Sequence, residues 1–204
     1  MKRLIVLLVL VFTAISARAD SAAILVFGDS ISAGYGLADV ETGWVSLLRT
    51  KLHHEGYGYR VINASVSGET TAGGLARLPR ALALHHPQLV ILELGGNDGL
   101  RALPIEAMRA NLAKMVSLSR AAGASVLLLG MRIPPNYGPE YTEQFRSTYM
   151  SLGKELKVPV LPFLLNDIAL NPALMQADGV HPNVLGQPRL LANVWPVLEP
   201  LLTK

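Results

Sequence analysis

The sequence predicts an α/β fold, a single domain in three α/β/α layers around a five-stranded parallel sheet. Three observations predict it. Short apolar runs alternate with longer stretches of helical periodicity. The first run, residues 22–27, is continuously apolar rather than alternating, the pattern of a strand buried on both faces. No hairpin turn separates one run from the next, so crossovers join successive strands and leave them parallel. With 204 residues, half of them hydrophobic, the chain can bury one sizeable core.

The elements follow in order. Residues 22–27 (Ala-Ala-Ile-Leu-Val-Phe) form the first strand. Residues 44–54 form a helix with Trp44, Leu47, Leu48 and Leu52 toward one side. Residues 59–62 form the second strand. Residues 75–84 read as a helix that Pro79 delays or kinks. Residues 89–94 form the third strand. Residues 105–121 form a helix introduced by Pro104 and closed by Gly123. Residues 126–129 form the fourth strand, 141–157 a helix and 158–161 a short fifth strand. A last helix lies within 184–201, offset by Pro188 and ended near Pro196. No repeat, low-complexity segment or interdomain linker interrupts this alternation.

The first 19 residues read differently. Met1-Lys2-Arg3, an apolar stretch from Leu4 to Ile15 and Ala17-Arg18-Ala19 have the layout of a secretory signal peptide. The stretch is shorter than the ~20 residues of a spanning helix. Cleavage after Ala19 would leave residues 20–204 as the mature domain, periplasmic and without a stable membrane anchor. Lys2, Arg3 and Arg18 would leave with it, and 18 basic residues would fall to 15, against 15 acidic ones. The formal charge of +3 is thus no argument for nucleic acid as a partner. The absence of cysteine excludes a disulfide framework, a thiol nucleophile and a thiolate metal site.

In a parallel sheet every strand's carboxyl end lies on one edge, where ligands bind. Ser30 follows the first strand, Gly68 the second and Asn97 the third; Asp178 and His181 follow the fifth. A serine hydroxyl is a weak nucleophile that needs an adjacent base. An imidazole titrates near neutral pH and can supply that base. A carboxylate such as Asp178 can fix the ring's tautomer and stabilise its charged form. Attack on a carbonyl also creates an oxyanion that needs preorganised donors. The backbone N–H groups of Ser30 and Gly68 and the amide of Asn97 are the candidates.

Other features carry less. His53-His54 and His85-His86 are neighbours that do not share a helix face, and read as surface or helix-end residues. Asp29 reads as a hydrogen-bonding residue of its turn, and Glu93 as a satisfied buried carboxylate. There is no Gly-x-Ser-x-Gly elbow, no phosphate-binding Gly-x-x-x-x-Gly-Lys-[Ser/Thr] and no His-Glu-x-x-His. No metal or other cofactor is expected.

These blocks resemble those of the SGNH (GDSL-type) hydrolases. Gly28-Asp29-Ser30-Ile31-Ser32 looks like the first block, with Ile31 where the family name implies Leu. Ser67-Gly68-Glu69, Gly95-Gly96-Asn97-Asp98 and Asp178-Gly179-Val180-His181-Pro182 look like the other three. The segments 63–70, 74–79, 92–101 and 135–138 are similar to the subgroup of periplasmic bacterial thioesterases, proteases and lysophospholipases, which is arylesterase-like. The resemblance implies a flavodoxin-like five-stranded sheet. It also implies a serine hydrolase acting on small acyl esters and thioesters, lysophospholipids among them. It further implies a mobile loop from Gly73 to Pro79 over an acyl groove. Leu75, Leu78, Pro79, Ile133, Pro134 and Tyr137 flank the site blocks in such a fold and are the candidate groove residues. The enzyme is expected to be a monomer. Two alternatives stay open: an acetyl esterase on sugars, and a secreted acyl-lipid carrier without turnover.

Overall fold

The computed structural model describes residues 22–204. The segment expected to be a signal peptide, residues 1–19, lies outside them. Five strands form one all-parallel sheet: β1 (Ala23–Gly28), β2 (Arg60–Asn63), β3 (Leu89–Glu93), β4 (Ser125–Leu129) and β5 (Val160–Leu161), in the order β2-β1-β3-β4-β5. Every residue of β1 and β3 is buried, which is why β1 reads as an unbroken apolar run and β3 as one that stops only at Glu93. The chain winds outward from β1 to β2, then returns past β1 to continue through β3, β4 and β5. That reversal opens a crevice between the carboxyl ends of β1 and β3, the place where open α/β sheets bind ligands.

Among the described residues seven α-helices accompany the sheet: α1 (Ser30–Ala33), α2 (Trp44–His54), α3 (Thr71–His85), α4 (Gly96–Leu100), α5 (Ile105–Ala121), α6 (Pro139–Leu156) and α7 (Gln187–Leu198). α2 packs with α7, α3 with α5, and α5 with α6. The ends of α2 and α5 fall where the sequence predicts, because Gly43, Pro104 and Gly123 punctuate them. α2 buries Trp44, Val45, Leu48 and Leu52, so Val45 rather than Leu47 completes the apolar side. α1 and α4 are single short turns that the sequence pattern does not reveal.

The segment around Pro79 departs from expectation. Thr71–His85 is one helix, and residues 73–79 lie within it rather than in a loop over a groove. Thr70 caps its start, accepting from the Gly73 amide at 3.4 Å. The buried Asp98 carboxylate then accepts from Thr71 N at 2.8 Å and Thr71 Oγ1 at 2.6 Å, fastening the first turn to α4. Pro79 is exposed, so the carbonyl it leaves without a partner can face water and the helix continues. α7 passes its own exposed Pro196 in the same way, with Pro188 in its first turn. Among the described residues no helix is long and apolar enough to cross a membrane.

Candidate active site

β1 ends at Gly28, and the chain turns at once into α1. Asp29 caps that helix through Oδ1, which accepts from the Ile31 amide at 3.0 Å. The cap holds Ser30 at the first helical position, in the crevice. Beneath the turn, Glu93 at the end of β3 is 0% exposed. Its Oε2 accepts from Ser32 Oγ at 2.7 Å and from Asp29 N at 3.2 Å. Gly28 leaves room for it: a Cβ there would come within 2.5 Å of Glu93 Oε2.

The loop after β5 brings the base. Asp178 Oδ1 accepts from the amides of Val180 (2.9 Å) and His181 (3.0 Å), an Asx turn that includes Gly179. Asp178 Oδ2 then lies 2.6 Å from His181 Nδ1, and His181 Nε2 lies 2.8 Å from Ser30 Oγ. Gln176 ties this loop to the one after α1, donating from Nε2 to Tyr35 O at 2.8 Å and to Pro182 O at 3.1 Å. The Tyr35 ring sits 4.7 Å from the His181 ring, centre to centre. Burial pushes the Asp178 carboxyl up, but the hydrogen bonds from the His181 amide and ring and the Val180 amide outweigh it and hold it at about 2.

Ser30, Gly68 and Asn97 line one cavity of about 630 Å³, together with His181. Gly68 has φ +77°, a left-handed conformation that suits glycine. Asn97 Nδ2 donates to Asp29 Oδ2 at 3.1 Å and to Glu69 O at 3.0 Å. Both of its N–H groups are engaged, so an oxyanion would draw one of them from its present acceptor. Burial pushes the Asp29 carboxyl up to about 6, against the pull of the Ile31 amide, the His181 charge and the Asn97 amide. Burial and the Asp29 charge push the Glu93 carboxyl well above the ordinary range. Glu93 Oε1 has no partner among the described residues, so Glu93 is only half satisfied.

Most of the remaining cavity wall is apolar, and much of it comes from the loops after β4 and β5: Met131, Ile133, Pro134, Phe163 and Leu165 belong to it. Of the candidate groove residues, Ile133 and Pro134 line it. Leu75, Leu78 and Pro79 do not, because α3 carries them away: Leu78 is in the core, Leu75 packs against it, and Pro79 faces outward. Tyr137 stands beside the cavity rather than in its wall, donating its hydroxyl to Leu100 O at 2.7 Å. Sequence reasoning missed Met131, Phe163 and Leu165. Their apolar runs give no sign of which way each loop leans. Among the described residues no group of three or more His, Cys, Asp or Glu side chains is placed to hold a metal ion.

Comparison with known proteins agrees with this geometry. Residues 26–189 match the GDSL-like Lipase/Acylhydrolase family. The chain is 54% identical over 185 residues to "Esterase TesA" of Pseudomonas aeruginosa, covering 91% of this chain and 92% of that protein. It is 42% identical over 187 residues to "Thioesterase 1/protease 1/lysophospholipase L1" of Escherichia coli, covering 92% and 87%. A crystal structure of TesA has a TM-score of 0.86 at 54% identity, covering 88% of this chain and 99% of that one.

Proposed function

The chain belongs to the GDSL-like Lipase/Acylhydrolase family and is an ester hydrolase, and we propose that it cleaves carboxylic esters and acyl thioesters through an acyl-Ser30 intermediate. The observation that carries the mechanism is the 2.8 Å approach of His181 Nε2 to Ser30 Oγ, with Asp178 on the other ring nitrogen.

In this reading Ser30 Oγ attacks the acyl carbon while His181 Nε2 takes its proton. The carbonyl oxygen becomes an oxyanion. The Ser30 and Gly68 amides receive it, with one N–H of Asn97 drawn from the Glu69 carbonyl. The tetrahedral adduct collapses, the leaving group takes the proton from His181, and the acyl group stays on Ser30. Water, deprotonated by His181, then attacks the acyl-enzyme; its proton returns to Ser30 Oγ as the acid leaves. Asp178 keeps the ring in one tautomer and balances its charge throughout.

Leaving-group chemistry orders the substrates. A thiol has a pKa of about 8.5, far below an alkyl alcohol, and leaves with little help from an acid. Thioesters and activated aryl esters are therefore favoured over ordinary esters, and amides are disfavoured. The apolar wall around Met131 and Ile133 suits an acyl chain, in keeping with the thioesterase and lysophospholipase names of the Escherichia coli relative. The charged start and short apolar stretch of residues 1–19 support export, with the mature enzyme working in the periplasm.

The test is kcat/KM across aryl esters from acetyl to palmitoyl. A rise toward medium or long chains is expected. A peak at acetyl with a steep fall would move the reading to a short-chain or sugar-acetyl esterase.

A further inference from the structure

Leu170 is 99% exposed, and it lines the cavity at the outer end of the turns that follow β5. Three more exposed apolar side chains line the same opening: Tyr35 (54%), Val180 (38%) and Leu100 (36%). They come from separate places in the chain: the loop after α1, the His181 loop and the end of α4. Isolated apolar side chains on a surface are ordinary. Four that line one largely apolar cavity gather exposed apolar surface at a single opening, and such groupings mark surfaces that meet apolar matter.

Charge narrows what that matter is. Of the charged side chains in the lining, Asp29 is buried, and Arg132 is exposed and makes no ion pair among the described residues. The Arg132 guanidinium lies 4.8 Å over the Phe163 ring. A second exposed guanidinium, Arg101, donates to Gly68 O at 3.0 Å on the oxyanion side. The Asp178 carboxylate is occupied by His181 and two amides. The opening thus joins apolar tips to the exposed Arg132 guanidinium, with Arg101 beside the Gly68 turn.

We infer that this rim docks on an anionic phospholipid surface, with the cavity mouth against the lipid so that an acyl chain passes directly into it. The inference rests on the acyl-ester reading of the site. Apolar tips at the acyl boundary and guanidiniums at phosphate level is the division of labour of interfacial proteins. A second copy of the chain fits less well, since a two-fold contact through the rim would set its cations against the same cations. A dissolved monomeric ester would need the cavity but not a leucine projecting beyond it.

The test uses the Ser30→Ala chain from Asp20, so that neither turnover nor the apolar leader contributes. This length keeps every described element, and the TesA crystal chain, 99% of which is covered, has a similar extent. Co-sedimentation is measured with vesicles of phosphatidylglycerol and of phosphatidylcholine, with the thermal midpoint as a check on folding. Binding to the anionic vesicles is expected. Leu170→Asp weakens it more than about tenfold, by removing apolar burial and adding an acid. Arg132→Gln weakens it about fivefold on phosphatidylglycerol and little on phosphatidylcholine, the worth of one cation near an anionic surface. Absence of binding, or binding that Leu170→Asp leaves intact with an unchanged midpoint, overturns the inference. So does reversible self-association that Leu170→Asp abolishes, which would give the rim to a second copy. Turnover of soluble aryl esters by the unsubstituted domain is scored separately. Turnover without vesicle binding defeats the docking surface and spares the esterase; vesicle binding without turnover of any ester does the reverse.

Discussion

Asn97 Nδ2 lies 3.1 Å from Asp29 Oδ2, so the carboxylate beside the nucleophile aims the side-chain donor across the crevice from it. The same carboxylate caps the turn that holds Ser30, through its other oxygen. One residue therefore sets both the nucleophile and the amide proposed to meet the oxyanion.

Asn97→Ala removes that donor and is expected to lower kcat on a short aryl ester by about 10²–10³. Asp29→Asn keeps Asn97 but has one carbonyl oxygen to serve two donors. Its kcat is expected to fall about tenfold to a hundredfold, since partial loss of one oxyanion donor cannot exceed the whole. Steady-state kinetics on a soluble substrate reads both. An Asp29→Asn enzyme with unchanged kcat would remove Asp29 from this role.

Asp178→Asn still accepts the two loop amides but presents N–H groups to His181 Nδ1. The ring is then held in the wrong tautomer, and kcat is expected to fall on the order of 10³–10⁴ with little change in KM. The wild-type carboxyl is held at about 2, below its unfolded value. Its contribution to stability is therefore present above the ordinary carboxyl range and is lost as pH falls through about 2. An acid limb of activity near neutral pH does not come from Asp178; a limb that shifted toward neutral in a variant lacking the Val180 and His181 amide bonds would trace to it.

Ile133 and Leu78 separate groove from core. Ile133→Asp puts a charge in the cavity wall and is expected to reduce kcat/KM for long acyl chains far more than for acetyl. Leu78→Ala empties a core position that is 0% exposed. It is expected to cost about 2–5 kcal/mol of stability and to leave the chain-length profile unaltered. A changed profile in a stable Leu78→Ala protein would return α3 to the groove.

The buried Glu93 makes a prediction about stability. Burial first, and the Asp29 charge second, raise its carboxyl above the unfolded value. The folded chain then binds a proton that the unfolded chain has lost, so stability falls as pH rises from the ordinary carboxyl range toward the raised folded value. Asp29, raised to about 6, acts in the same direction over a narrower window. Glu93→Gln mimics the protonated form. Its melting temperature is expected to match the wild type at mildly acidic pH and to decline less at alkaline pH. A decline as steep as the wild type's would assign the slope elsewhere.

The sheet and the crevice were readable because each signal was local. Apolar runs mark β1 and, up to Glu93, β3; Pro104 and Gly123 bracket α5, and every site block follows a strand. α3 was not readable in this way. Two glycines and a proline argue against a helix from Thr71, and they are overruled by tertiary partners that no local window contains. Asp98 fastens the first turn, and Gly74 sits so close to Leu94 that a Cβ would meet its Cδ1 at 2.5 Å. The groove failed for the same reason. Which residues face the cavity depends on how the loops after β4 and β5 lean, and Met131 and Phe163 look like any other apolar residue in sequence.

Whether Ser30 carries the acyl group is read by intact-protein mass measurement after reaction with an organophosphonate ester. One adduct per chain is expected, mapped to the peptide holding Ser30, with loss of ester turnover in step with labelling, and neither adduct nor turnover in Ser30→Ala. Full turnover by pure, folded Ser30→Ala, or an inactivating adduct on another residue, would contradict it.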